Sequence, residues 1–316
     1  MKKYGFIMAL TENLGDDIQA LAAKQFLPRA DVILNREFLN QVNSKDTIKT
    51  IMNGWFTHRP DNWPPSSNIE PLFLSFHISP HIADKLLSRK TLEYLKKYEP
   101  IGCRDEYTRD LLESRGINAY FSGCLTLTLD YGYNHLKNHK KQKEYILIVD
   151  LDDYTTKHLP QHILRRSMFA SHTHSKRSVK LIQKILPHTF RKALRSIFPI
   201  NDKILSSIEL SFEKRLKLAE IQLQKLANAQ MVITSRLHAA LPAISFGTPV
   251  IFVHENLNDP RFTGLLKYIN HYNISEFKKQ VNEIDWENPP QNPSQEELRK
   301  LKSDLINKCL EFVKDI

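Results

Sequence analysis

The stretch ITSRLHAALPAISFGTPVIFV, residues 233–253, decides the fold that we predict for this chain. It opens and closes with apolar runs of strand length, and the residues between them have the apolar spacing of a helix that ends near Gly247. A strand, a helix and a second strand in this order are typical of a sheet whose strands run parallel. Arg236 and His238 lie where the first strand passes into the helix.

The same alternation of strand and helix patterns extends through the rest of the chain. In the N-terminal half, strand patterns fall at 3–10, 31–35, 48–56, 71–78, 100–106 and 117–129, with helical patterns between several of them. In the C-terminal half, strand patterns fall at 144–151, 231–235 and 249–253, and helices are predicted over 207–228 and after Ser294. We therefore predict an α/β fold with two domains, 1–135 and 143–316, and a cleft between them.

Length and composition limit the class of protein. The 316 residues and the hydrophobic share of 41% are those of a globular protein that can bury two cores. The three cysteines, Cys103, Cys124 and Cys309, lack metal-ligand spacing, so we expect neither a disulfide framework nor a zinc site. The apolar run after Lys3 is too short for a signal peptide, and no stretch approaches about 18 consecutive apolar residues. We expect a cytoplasmic protein in a reducing compartment.

The net charge of +10 is concentrated in residues 157–203, which hold eleven Lys or Arg and one acid. Apolar residues recur along this segment at helical spacing, interrupted at Pro187, as in a basic amphipathic insertion. Such a pattern is typical of contact with an anionic membrane or a lipid-linked substrate, which would place the protein at the inner face of the membrane. A solvated insertion between core elements explains it equally well. We expect no nucleic-acid partner, because no recognised nucleic-acid-binding motif is present.

Candidate site residues follow from the predicted topology. Open α/β sheets bind ligands beyond the carboxyl ends of their strands, where loops lead into helices. At the helix that follows Thr234, the helix N-terminus favours an anion, and two cationic or proton-bearing side chains add to that preference. Four polar segments fall at such positions and supply the candidates Asn13, Gly15, Asp16, Arg104, Asp105, Ser122, Gly123, Thr126, Ser235, Arg236, Leu237 and His238.

These residues also have structural interpretations. Arg236 could pair with a carboxylate of the fold, and Arg104 could form an internal ion pair with Asp105. Asp16 could cap the first helix, while Gly15 could serve only the turn before it.

Sequence patterns typical of nucleotide or metal binding are absent or weak. The chain has no glycine-rich phosphate loop of the GxGxxG or Walker type, which disfavours a Rossmann dehydrogenase or a kinase. The nearest approach to a metal-binding DxD pair is the cluster of Asp150, Asp152 and Asp153. We predict no metal site.

Three blocks, residues 13–20, 101–129 and 232–253, together resemble the polysaccharide pyruvyl transferase family. The resemblance implies a GT-B-like fold, in which two Rossmann-like domains face a cleft, with residues 1–135 on the acceptor side and 143–316 on the donor side. It also implies a reaction in which phosphoenolpyruvate gives its pyruvyl group to two sugar hydroxyls. The product would be a pyruvate ketal on a cell-surface polysaccharide or on its lipid-linked precursor.

The resemblance associates Arg104, Arg236 and His238 with donor binding and catalysis. Phosphoenolpyruvate carries a phosphate and a carboxylate, and the planar guanidinium of arginine suits both groups. His238, with an ordinary pKa of about 6.5, is the predicted general acid, and Asp105 or Asp16 is the predicted activator of the sugar hydroxyl. No cofactor is expected besides the donor substrate.

Two other functions are compatible with the same patterns. A GT-B-type glycosyltransferase would hold the diphosphate of a sugar nucleotide at the same helix N-terminus and its ribose near Glu255. A non-catalytic adaptor for a glycan or a membrane surface would depend on residues 157–203 alone.

Overall fold

The computed structural model describes residues 2–138, 145–174 and 202–314, and for residues 202–211 it describes only the backbone helix. The central part of the basic segment lies outside these residues, so its contact with a membrane stays a prediction. No helix in the described ranges combines the length and the apolar character needed to cross a membrane.

The N-terminal part forms a parallel sheet with the strand order β2-β1-β3-β4-β5-β6. Both of its faces are covered by helices, which is why the apolar runs of the sequence are almost continuous here. The strands are β1 (Lys3–Met8), β2 (Val32–Asn35), β3 (Ile48–Phe56), β4 (Ile69–Ile78), β5 (Ile101–Cys103) and β6 (Ala119–Phe121). The helices are Leu14–Lys24, Ala83–Leu86, Arg89–Lys96, Glu106–Glu113 and Leu129–Tyr133.

A second parallel sheet follows, with the strand order β11-β10-β9-β7-β8. Its strands are β7 (Ile146–Val149), β8 (Ser167–Ala170), β9 (Met231–Thr234), β10 (Val250–Val253) and β11 (Asn270–Tyr272). Its helices are Asp153–Thr156, Gln161–Arg165, Asp202–Asn228, Leu237–Ser245 and Ile274–Gln280, and the chain ends in the helix Gln295–Lys314. The predicted fold class, two Rossmann-like α/β units with a C-terminal helix, is confirmed.

One predicted strand is shorter than its pattern. The pattern over 117–129 gives a strand only as far as Phe121, and Leu125–Thr128 forms a 3-10 helix instead. Gly123 has a φ of 71°, which turns the chain out of the extended conformation. All four residues of the 3-10 helix are buried, so the alternation of Leu and Thr does not reflect a strand with one buried and one exposed face.

The two units share one hydrophobic core. A single cluster of buried side chains runs from Phe6 and Leu74 in the first sheet to Leu147 and Val232 in the second. Because apolar burial supplies most of the favourable free energy of folding, the shared core holds the two sheets together as neighbours.

The C-terminal helix packs on the first unit. Tyr4 in β1 donates a hydrogen bond from its hydroxyl to the Val313 carbonyl at 3.2 Å. The ammonium group of Lys308 lies 5.1 Å from the centre of the Tyr120 ring, close enough for a cation–π contact. The division of the chain into 1–135 and 143–316 stays a prediction, and the structure adds that the last helix returns to the first sheet.

Three ionisable side chains that are almost fully buried, Asp17, His174 and Arg215, form what we call the Asp17 cluster. The carboxylate of Asp17 accepts bonds from Arg215 Nε at 3.0 Å and Nη2 at 2.9 Å, and lies 2.6 Å from His174 Nε2. Arg215 Nη2 also donates to the Thr11 carbonyl at 2.9 Å. The cluster therefore ties the first helix to a helix and a loop of the second unit.

Loss of the Asp17 carboxylate should destabilise the fold strongly, because it leaves a buried guanidinium without its counter-charge. We expect Asp17→Ala to lower the free energy of unfolding by about 3 to 5 kcal/mol. Glu93→Ala, which removes an exposed helical ion pair with Arg89, should cost about 0.5 kcal/mol. Chemical denaturation of both variants checks this, and equal losses would contradict the structural importance of the cluster.

Candidate functional site

A cavity of about 580 Å³ lies where the carboxyl ends of the strands of both sheets come together. Its walls follow β1, β3, β4 and β5 of the first sheet and β8, β9 and β10 of the second. This is where open parallel sheets bind ligands. The predicted site residues that line it are Asn13, Asp16, Arg104, Ser235, Arg236, Leu237 and His238.

Arg104 follows β5 and is almost fully buried, with 2% of its surface exposed. Its Nε donates to Asp105 Oδ2 at 3.3 Å, and its backbone N–H donates to the Phe76 carbonyl at 2.8 Å. Within the described part of the chain, its Nη2 has no hydrogen-bond partner. A buried guanidinium with an unsatisfied N–H group is costly unless a ligand accepts from it, so Arg104 is a candidate for binding an anion.

Asp105 does not line the cavity, and its predicted part in hydroxyl activation needs correction. It is fully buried and caps the helix Glu106–Glu113, where it accepts bonds from Thr108 N at 3.0 Å and Thr108 Oγ1 at 2.7 Å. Its other oxygen lies 2.6 Å from His77 Nδ1. Burial acts to raise the pKa of Asp105, but His77, Arg104 and Thr108 together lower it. Its oxygens are thus engaged in holding Arg104 and His77.

Arg236 occupies the N-cap position of the helix Leu237–Ser245 and is half exposed to the cavity. Its Nε donates to Asp150 Oδ2 at 2.8 Å, so the ion pair considered for this residue does form. Asp152 caps the helix Asp153–Thr156 through Thr155. The aspartate cluster considered as a DxD pair therefore orients an arginine and caps a helix.

His238 lies in the first turn of the same helix and faces the cavity. Its Nδ1 is 3.4 Å from Gln19 Nε2, and its Nε2 is 3.8 Å from Cys124 Sγ. Burial is the main reason that the pKa of His238 falls well below its usual value, and Arg104 and His172 lower it further. The expectation of an ordinary pKa near neutrality was therefore wrong, and the imidazole is neutral at pH 7 in the free protein.

The first helix approaches His238 closely because Gly15 has no side chain. A Cβ at this position would lie 2.9 Å from His238 Cβ and 3.1 Å from His238 Nδ1. Gly15 is helical, so its role is close approach rather than a turn. Asn13 is the N-cap, accepting from Gly15 N at 3.0 Å. The capping role considered for Asp16 was wrong: Asp16 lies in the first turn and lines the cavity.

Three predicted substrate-binding residues lie away from the cavity and support the fold. Ser122 accepts a bond from Ser75 N and donates to the Cys103 carbonyl, both at 3.0 Å. A Cβ on Gly123 would lie 2.7 Å from Leu301 Cδ2 in the C-terminal helix. Thr126 is fully buried, with its hydroxyl 3.1 Å from Cys124 Sγ. These three assignments are corrected to structural roles.

The sequence did not reveal one of the three arginines or four of the five histidines that line the cavity. Arg261 lies in the cavity wall and is held by Asp259 through two bonds, of 2.9 and 2.6 Å. Four histidines besides His238 also line the cavity. They follow four different strands, so no short sequence motif contains more than one of them. These histidines are His58, His81, His172 and His254.

The lining has the composition of an anion site. Three arginines face it, against the carboxylates of Asp16 and Asp259. The N-terminus of the helix Leu237–Ser245 adds its partial positive charge. Among the described residues, no three His, Cys, Asp or Glu side chains come together as metal ligands.

The chain is similar in fold to solved structures and matches one protein family. A solved structure of an uncharacterised protein from Klebsiella pneumoniae subsp. pneumoniae NTUH-K2044 is similar with TM-score 0.47 and 13% identity, over 86% of this chain and 92% of that one. A UDP-N-acetylglucosamine 2-epimerase is similar with TM-score 0.47 and 10% identity, over 100% of this chain and 95% of its own. A search of curated proteins finds no match. The family model for polysaccharide pyruvyl transferase matches residues 13–254, and the chain belongs to the polysaccharide pyruvyl transferase family.

Proposed function

We propose that this protein transfers the pyruvyl group of phosphoenolpyruvate to two hydroxyls of a saccharide, forming a pyruvate ketal. The observation that carries the proposal is the unpartnered Nη2 of the buried Arg104, which lies in a cavity whose opposite wall holds Arg236 and His238. A small ligand with two acidic groups can pair with cations on both walls, whereas a ligand with a single acidic group can pair with only one of them.

The donor would lie between the two units. Arg104 comes from the first sheet, and Arg236 comes from the start of a helix in the second. The phosphate and the carboxylate of phosphoenolpyruvate could each accept from one of them. Both guanidinium groups are held by carboxylates, Asp105 and Asp150, so little side-chain entropy would be lost on binding.

His238 is the group we assign to proton transfer. In the free protein it is neutral, because burial and Arg104 oppose its charged form. The negative charge of a bound donor would offset that repulsion and allow the imidazole to take up a proton. That proton could then be delivered to the methylene carbon, C3 of the donor, as a hydroxyl oxygen attacks C2.

The protons balance without a cofactor. The C2–oxygen bond to phosphate breaks, and a second sugar hydroxyl bonds to C2 to close the ketal. Of the two protons that the hydroxyls release, one replaces the proton given to C3 and the other leaves with phosphate. Asp16, which lines the first-unit side of the cavity and accepts from Thr11 Oγ1, is the carboxylate we assign to hydroxyl activation.

The acceptor is a saccharide, either free or lipid-linked, and we place it on the first-unit side with Asp16. The basic segment 157–203 would add an anionic membrane surface or a lipid-linked acceptor as a partner. A glycosyltransferase that uses a sugar nucleotide is the main competing function, but Glu255, its expected ribose ligand, does not line the cavity.

Donor binding should be visible as thermal stabilisation. Phosphoenolpyruvate at 100 times its Kd should add about 2.7 kcal/mol to the folded state. Arg104→Gln and Arg236→Ala should lose most of this stabilisation, because each removes a cation from one wall. Arg115→Ala, which removes a surface arginine paired with Asp84, should keep it. Thermal unfolding with phosphoenolpyruvate and with a panel of nucleotide sugars checks this, and stabilisation by a nucleotide sugar alone would favour the glycosyltransferase.

Donor binding should also be coupled to proton uptake. The pKa of His238 lies well below 6.5 in the free protein and should rise when an anion binds. Between these two pKa values, binding takes up a proton, so affinity should increase as the pH falls through the pKa of the complex.

Calorimetric titration at one pH, in two buffers of different ionisation enthalpy, measures the uptake. His238→Gln should reduce it, and any uptake that the donor itself contributes will be the same in both proteins. Equal uptake by the parent and by His238→Gln would contradict the assignment of the proton to His238.

A further inference from the structure

The cavity contains a second unpartnered polar side chain, which the reaction described above does not use. His172 follows β8 and has only 1% of its surface exposed, yet it lines the cavity. In the described ranges, neither of its ring nitrogens has a hydrogen-bond partner. A neutral imidazole carries one N–H donor and one acceptor nitrogen, so both are unsatisfied in a buried position. Burying these two nitrogens without hydrogen-bond partners costs free energy, unless a ligand forms the missing bonds.

The backbone holds His172 firmly in place. Its N–H donates to Asp150 Oδ1 at 3.2 Å, and its carbonyl accepts from Leu14 N at 2.9 Å. The next residue forms a β-bridge with Asn13, and His174 joins the Asp17 cluster. The loop is therefore anchored to both units, which fixes the backbone of His172 beside the cavity.

His172 lines the same cavity as the other groups of the proposed donor site, Arg104, Arg236 and His238. Asp150 joins His172 to Arg236, because one of its oxygens accepts from the His172 backbone N–H and the other accepts from Arg236 Nε. Arg236 in turn lowers the pKa of His172, which burial brings to about 4. The ring is therefore neutral at pH 7 and offers an N–H group without adding a charge. Its unpartnered N–H and the unpartnered Nη2 of Arg104 come from opposite units of the protein.

We propose that His172 is a donor-binding residue, whose ring N–H binds an acidic group of phosphoenolpyruvate opposite Arg104, so that the ligand bridges the two units. This inference rests on the proposed function for the identity of the ligand. The hydrogen bonds themselves do not require phosphoenolpyruvate. Any phosphate or carboxylate can accept from the ring N–H of His172 and from Arg104.

The variants at position 172 change the hydrogen-bonding capacity of the side chain. His172→Phe replaces the imidazole with a ring that cannot form hydrogen bonds, and His172→Gln restores a donor at a similar reach. His162→Phe makes the same change at an exposed position on the helix Gln161–Arg165. Binding of inorganic phosphate and of phosphoenolpyruvate is measured by calorimetry for each variant and for the parent.

We expect His172→Phe to weaken binding of both anions roughly 10- to 100-fold, as loss of a hydrogen bond to a charged group does. His172→Gln should recover part of the affinity, and His162→Phe should match the parent. The unfolding midpoint of ligand-free His172→Phe should be no lower than that of the parent, because the change removes unsatisfied polar atoms from a buried site. A residue that merely supports the fold would show the opposite pattern.

The outcomes separate this inference from the proposed function. Equal affinity of the parent and His172→Phe for phosphoenolpyruvate would overturn the role of His172 and leave the function intact. Binding of phosphate that depends on His172, with no binding of phosphoenolpyruvate by the parent, would support the role and overturn the function. Failure of the parent to bind either anion would overturn both.

Discussion

The buried carboxylate of Asp17 is the constraint on which the rest of the structure depends. It must be matched by Arg215 and His174, because an unpaired charge could not stay buried. Those partners belong to the second unit, so the pairing fixes the start of the first helix against it. Gly15 and Asn13 lie in the same turn, and Gly15 contacts His238. The charge pairing thereby helps to hold the first helix against the part of the second unit that carries His238.

The three arginines of the cavity are oriented in the same way, by ion pairs. Each is held by a nearby carboxylate: Arg104 by its neighbour in the chain, Arg236 by Asp150 and Arg261 by Asp259. The carboxylates reduce the mutual repulsion of the guanidinium groups and fix their orientation before a ligand arrives. Preorganised donors of this kind hold an anion at a lower entropic cost than mobile side chains would.

The neutral histidines are a consequence of that cationic environment. His172 and His238 lie in a buried space near arginines, so both burial and charge oppose protonation. A bound anion would oppose these effects at His238, because its negative charge favours the protonated form of the ring. Under the proposed function, such a site would couple the binding of an acidic ligand to the gain of a proton by His238.

The sequence by itself determined the alternation of strands and helices, because apolar periodicity is a local property. It therefore predicted the α/β class, β3 over 48–56 and the polar segment that holds Arg236 and His238. It could not show that Asp105 is buried in a network, or that Ser122 supports the fold. Only the tertiary structure brought His172 and Arg261 to the cavity, because they follow β8 and β10, two strands of the second sheet that lie far apart in the chain. Burial and the neighbouring charges, which no local pattern records, also decided which histidines stay neutral.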